Sequence, residues 1–214
     1  MLCRLLPVLL FAWAGPGVAA SVTIDGIRFA EGSPNMRLVG VSGRGTVQDP
    51  FVVREEIVAS GDVILRIDVE SPAFGNRLRT LHAMGFALRK EVINSTDETW
   101  DHFAMELQFV VGEASDYYDG LSFAQATRVN RPFRSDRFAK VEDMAEPRDM
   151  VRFTDGVVTP GQGAVFLVSI THTGPQPTFF LVQHVRKPVA QLDLPLRLAG
   201  DAAKPGRRGD EGGS

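Results

Sequence analysis

"WDHFAMELQFVV", residues 100–111, decides the fold class. Phe103, Met105, Leu107, Phe109 and Val111 alternate there with His102, Ala104, Glu106, Gln108 and Val110. A period of two sends successive side chains to opposite faces of a strand, and the apolar set marks the face turned to a core. The same grammar extends outward in both directions. In "DVILRIDVE" (62–70) Val63, Leu65, Ile67 and Val69 oppose Arg66 and Asp68, and "FALRKEVIN" (86–94) alternates more loosely. Shorter apolar runs bounded by Gly, Pro, Asp or Asn follow at 22–30, 36–41, 50–58, 150–158, 164–172 and 178–185. About eight or nine short strands without long helical patterns between them predict an all-β chain, an antiparallel β-sandwich, with a barrel as the alternative.

Helical signals are confined to two short segments. "SDRFAKVEDMAEP" (135–147) offers Ser135 as N-cap, Phe138, Val141 and Met144 or Ala145 on one side, and Pro147 as a stop. "RTLHAMG" (79–85) fits one or two turns.

The chain opens with Arg4, an apolar stretch from Leu5 to Ala14, a Gly15-Pro16 break and the small residues Val18-Ala19-Ala20. This is the layout of an export signal, so residues 1–20 are expected to be cleaved and the protein to be periplasmic or extracellular. A bilayer span needs about 20 apolar residues, more than this stretch supplies, so no membrane span is expected once the signal is removed. The only cysteine, Cys3, leaves with it. A cysteine-free exported chain must be stabilised by its core, and one domain over 21–198 is large enough to build it. The Gly-rich, charged segment 199–214 is expected to be a disordered tail, and the Arg208-Gly209-Asp210 within it is too short to identify an adhesive role.

Net charge is −3 for the full sequence and −4 once Arg4 is lost. Nothing in it forms a basic stripe, so nucleic acid is not an expected partner. "GVSGRGTVQDPFVV" (40–53) is rich in glycine but lacks the Lys-Ser/Thr of a phosphate loop and leads into a strand. Gly45 is assigned a positive-φ turn position, Asp49 the role of hydrogen-bond acceptor, and Pro50 that of setting φ before Phe51 starts the strand. Asn94-Ser95-Thr96-Asp97 reads as another turn, and also as a glycosylation sequon. Trp100, just after it, is expected to close one end of the sandwich.

Gly45 to Val53, as Gly-Thr-x-x-Asp-Pro-Phe-x-Val, resembles openings of bacterial surface β modules. "EVINSTDETWDHFAMEL" (91–107) and "VRFTDGVVTPGQGAVFLVSI" (151–170) are similar to segments of the small β-sandwich ectodomains of PEP-CTERM-type exported bacterial proteins. The resemblance implies an envelope-associated sandwich. The Pro-Glu-Pro sorting signal of that group is not present in this sequence.

Candidate chemistry is sparse. A hairpin turning near Pro175-Gln176 would hold His172 and His184 roughly 17 Å apart, and His82 and His102 lack ligand-spaced neighbours, so the histidines read as partly exposed polar residues. Asp68 and Glu70 fall on a face that the alternation assigns to solvent, and no nucleophile elbow is present, so no catalytic residue is assigned. The long polar segment 112–138 carries what remains. Asp116, Asp119 and Asp136 could supply oxygens to calcium, and Tyr117 with Tyr118 could offer an aromatic surface to a sugar, against a reading in which Phe123, Phe133 and Phe138 merely fold the loop down. No cofactor beyond that calcium is expected. The expectation is a non-catalytic structural or binding module of the bacterial cell envelope, with an envelope protein or polysaccharide as partner. A carbohydrate-binding module and a secreted hydrolase are the alternatives.

Overall fold

The computed structural model describes residues 20–115, 119–124, 133–144, 148–174 and 177–186. The strands are β1 (Ser21–Ile24), β2 (Ile27–Glu31), β3 (Met36–Ser42), β4 (Phe51–Ile57), β5 (Val63–Val69), β6 (Met84–Asn94) and β7 (Phe103–Gln108). They continue with β8 (Leu121–Phe123), β9 (Arg134–Ser135), β10 (Phe138–Met144), β11 (Met150–Gly156), β12 (Gly163–His172) and β13 (Thr178–His184).

Alternation builds the layers. On β4 Phe51, Val53, Glu55 and Ile57 are buried while Arg54 is exposed, and on β7 Phe103, Met105 and Leu107 turn to the same core. One sheet runs β1-β2-β5-β13-β7-β11-β10, and the other runs β3-β4-β6-β12-β8 with β9 also pairing β12. The inner faces of the two sheets meet in one apolar cluster. Its rings touch at short range: Phe103 stacks on Phe166 at 4.2 Å and Phe29 meets Phe51 edge-on at 5.5 Å. Such pairs contribute about 0.5–1.5 kcal/mol each beyond the area they bury.

The all-β sandwich read from the sequence is present, with corrections. The described residues form thirteen strands, not eight or nine. One central pairing, β4 with β6, is parallel in an otherwise antiparallel pattern. Residues of the expected helix at 135–147 form the end of β9 and all of β10, because this segment pairs antiparallel with β11, from Phe138 opposite Gly156 to Met144 opposite Met150. In segment 79–85, expected as a helical turn, residues 80–83 are bends, and Met84 and Gly85 begin β6. A short 3₁₀ turn lies at Pro72–Phe74, where Ala73 N–H donates to Ser71 Oγ. None of the described residues forms a helix long and apolar enough to cross a membrane. β12 and β13 are not a hairpin either. β12 lies in the six-stranded sheet and β13 in the seven-stranded one, so the chain crosses between layers after His172. The expected export signal at 1–19 and the expected tail at 199–214 lie outside the described residues.

Candidate functional site

The outer face of the six-stranded sheet carries a groove of about 400 Å³, lined by side chains of β3, β4, β6 and β12 and by the turn between β9 and β10. Register places its floor. Arg54, Glu91 and Val165 are cross-strand neighbours, and so are Glu56, Ile93 and Gly163 one step along. Val39 joins from the irregularity between Leu38 and Gly40 on β3 and is 59% exposed, and Ile93 is 42% exposed. Gly163 adds no side chain, so the floor stays open beside Ile93. Asp136 and Arg137 form the wall: Val165 N–H donates to Asp136 Oδ1 (2.7 Å) and Arg137 Nε donates to the Gly163 carbonyl (3.0 Å).

The charges in this groove are held in place. Arg54 Nε and Arg89 Nε grip the two Glu91 oxygens at 2.8 and 2.9 Å. The Arg89 hydrogen bond, with further help from Arg54, holds the Glu91 carboxyl below the usual glutamate range. Glycoside hydrolysis needs one carboxyl raised to serve as an acid. Glu91 is tuned the other way, and Asp136 accepts from the β12 backbone, so neither is set up as that acid. Branched aliphatic side chains and fixed ions line it, and among the described residues no aromatic ring does.

A second polar cluster sits on the outer face of the other sheet. Arg28 of β2 (2.8 Å), Arg66 of β5 (2.9 Å) and Thr178 Oγ1 of β13 (2.7 Å) converge on Asp68. Burial pushes the Asp68 carboxyl up, but these hydrogen bonds outweigh it and leave the group lowered. Asp68 was expected in solvent and is instead buried, clamping three strands; Glu70 stays exposed and pairs with Arg28 (3.3 Å). Nearby Glu106, on β7, is buried between His184 (3.4 Å) and Arg148 (3.7 Å).

The residues singled out from sequence separate. Asp116, Tyr117 and Tyr118 lie outside the described residues. Asp119 accepts from Leu121 N–H (2.9 Å) and from Ser115 Oγ, shaping the turn into β8. Gly120 there takes φ +82°, and its carbonyl accepts from Thr173 N–H, beside the end of β12. Asp136 sits at Val165, eight strand positions away and so roughly 27 Å along β12. Asp119 and Asp136 therefore lie far apart along β12, while Asp116, the third residue of the expected calcium set, lies outside the described residues. Among the described residues no three His, Cys, Asp or Glu side chains gather in a way that could hold a metal.

His102 and His172 are buried, not partly exposed, and His172 packs edge-on against Phe109. Trp100 is 1% exposed, bridges Val158 and packs on Phe103 (6.0 Å). Asn94 is fully buried, with Nδ2 donating to the Glu98 and Val158 carbonyls, so the folded sequon presents no accessible amide. In the glycine-rich turn Gly45 has φ +74° and is buried on Phe51. The Asp49 backbone carbonyl, not its side chain, accepts from Arg44 and Thr46 N–H. Pro50 directly precedes β4.

Arg54, Glu91, Arg137 and Val165 carry no signal of a site in the sequence, and Glu56 reads there only as half of an adjacent carboxylate pair, Glu55-Glu56, whose members face opposite sides of a strand. The available signal was Ile93, an aliphatic residue in the polar phase of β6. No protein-family model, curated protein or solved structure matches this chain.

Proposed function

We propose that the protein is an exported, non-catalytic binding module of the bacterial cell envelope, and that its outer groove receives an extended segment of an envelope protein. The signal-like start of the sequence supports export. The observation that carries the binding role is the groove itself: exposed Val39 and Ile93 beside Val165, framed by Arg54, Glu56 and Arg137. Scattered exposed apolar side chains are ordinary, but aliphatic groups gathered in a concave, ion-rimmed site mark recognition surfaces. Sugar sites favour aromatic platforms, and the lining here is aliphatic, which favours a polypeptide over a polysaccharide.

Selection of a random peptide library against the purified protein tests this. Peptides alternating apolar and charged residues should be enriched, and Ile93→Asp should abolish their binding. Enrichment that survives Ile93→Asp, or binding to a glycan array with no peptide enriched, overturns the assignment.

A further inference from the structure

The inner faces of β4 and β6 hold an ion pair with no access to water. Lys90 Nζ lies 2.6 Å from Glu55 Oε2, and both side chains are 0% exposed. Register explains how they meet. In the parallel pairing Val53 is opposite Lys90 and Glu55 is opposite Val92, so the two are diagonal neighbours on one face. Except for Asn94 at the end of β6, the rest of that face is apolar, with Phe51, Ile57, Phe86 and Leu88 all fully buried. Glu55 Oε1 has no hydrogen-bond partner. Removing two ions from water costs several kcal/mol per ion unless every lone pair and proton is satisfied, and here one carboxylate oxygen is not. Burial lowers the Lys90 pKa, against the opposing pull of Glu55.

We propose that Lys90 and Glu55 condense into an intramolecular amide, Nζ to Cδ, that joins β6 to β4 inside the sandwich. The ammonium passes one proton to Oε2 along the existing hydrogen bond, which gives a free amine facing a neutral carboxylic acid. The Nζ lone pair attacks Cδ, and Oε2 departs as water with that proton and a second one from Nζ. The amide keeps the third proton on nitrogen and Oε1 as its carbonyl. One C–O bond breaks, one C–N bond forms, and no oxidant, reductant or further reactant enters. Three features drive the step. Fixed proximity replaces a bimolecular encounter, an effect that reaches about 10⁵–10⁸ M in effective concentration for well-oriented groups. The product buries no charge where the reactants buried two. The core also keeps out the water that would reverse the reaction. In a chain whose single cysteine is Cys3, the link supplies the covalent tie that disulfides give many exported domains.

The test is the mass of tryptic fragments from the purified, denatured full-length protein. An acylated Lys90 resists trypsin, so a branched peptide should appear that joins the fragment Glu55–Arg66 to the fragment starting at Lys90, lighter than their sum by one water. Lys90→Arg, whose guanidinium keeps the charge and does not acylate, should yield only linear fragments. Cleavage after Lys90 in the wild-type protein, with Glu55–Arg66 recovered at its plain mass, overturns the proposal.

Discussion

Gly45 shows how one missing carbon atom sets the path of a turn. At φ +74° an L side chain is strained, and an added Cβ would lie 2.4 Å from Phe51 Cε2, a ring that is itself fully buried. Gly45→Ala should therefore lower stability by about 2–4 kcal/mol, combining left-handed strain with overpacking. A denaturant midpoint unchanged from wild type would show that the turn relaxes freely. Gln183 presents the opposite situation. It is fully buried on β13 with both amide atoms unpartnered. Gln183→Met keeps the volume and removes the unsatisfied polar atoms, so it should raise stability by about 1 kcal/mol or more. A loss on chemical denaturation would mean that the amide is served by partners such as buried water. The turn around Gly45 was legible because glycine spacing and Asp-Pro are local signals. Glu55 and Lys90 were not recognised as core residues, since charged residues suggest solvent. Period two nevertheless placed them in phase with Phe51, Val53 and Ile57 and with Phe86, Leu88 and Val92.

Among the elements, β12 runs through the centre of its sheet and ends in His172, which is buried beside Phe109 and the Gly174 backbone. Burial lowers the His172 pKa, with His82 adding to the effect and with the Gly174 contact and the Asp119 charge opposing it. The unfolded chain takes up this proton near pH 6.5, the folded chain only at lower pH. This group's share of stability is therefore fully present above about pH 6.5 and falls as the pH drops toward the lowered folded-state pKa. His172→Gln should flatten that part of the stability curve when midpoints are compared from pH 7 to pH 5. An unchanged slope would assign the effect to another group. The neighbouring error over 135–147 has a physical source as well. β10 is an edge strand with exposed or half-exposed residues at Ala139, Lys140, Val141 and Glu142, so its sequence lacks a clean apolar alternation. Phe138 and Val141 then happen to match a helical spacing.

For the whole molecule, the sandwich was legible because alternation repeats along nearly every segment, whereas strand order was not, because pairing partners lie far apart in the chain. β2 pairs β5, β5 pairs β13, and β4 pairs β6 in parallel, none of which leaves a local signature. The groove shares that limitation, since it is assembled from β3, β4, β6, β12 and a turn, each unremarkable alone. The same topology ranks local stability. β6 and β12 pair over ten residues, from Gly163 opposite Ile93 to His172 opposite Met84, with β4 flanking β6 on its other side. β1 and β10 are the edges of the seven-stranded sheet, and β1 contributes no fully buried side chain. Backbone amides open locally according to how much packing each opening breaks. Native-state hydrogen exchange should therefore release β1 and β10 first and β6 and β12 last. Ile93→Asp, a change on the outer face of β6, should leave that order intact with a stability change within about 0.5 kcal/mol, as for surface positions generally. If Ile93→Asp accelerated exchange throughout β6 and β12, the groove would be part of what holds the sandwich together, and loss of peptide binding in that variant would reflect unfolding instead of recognition.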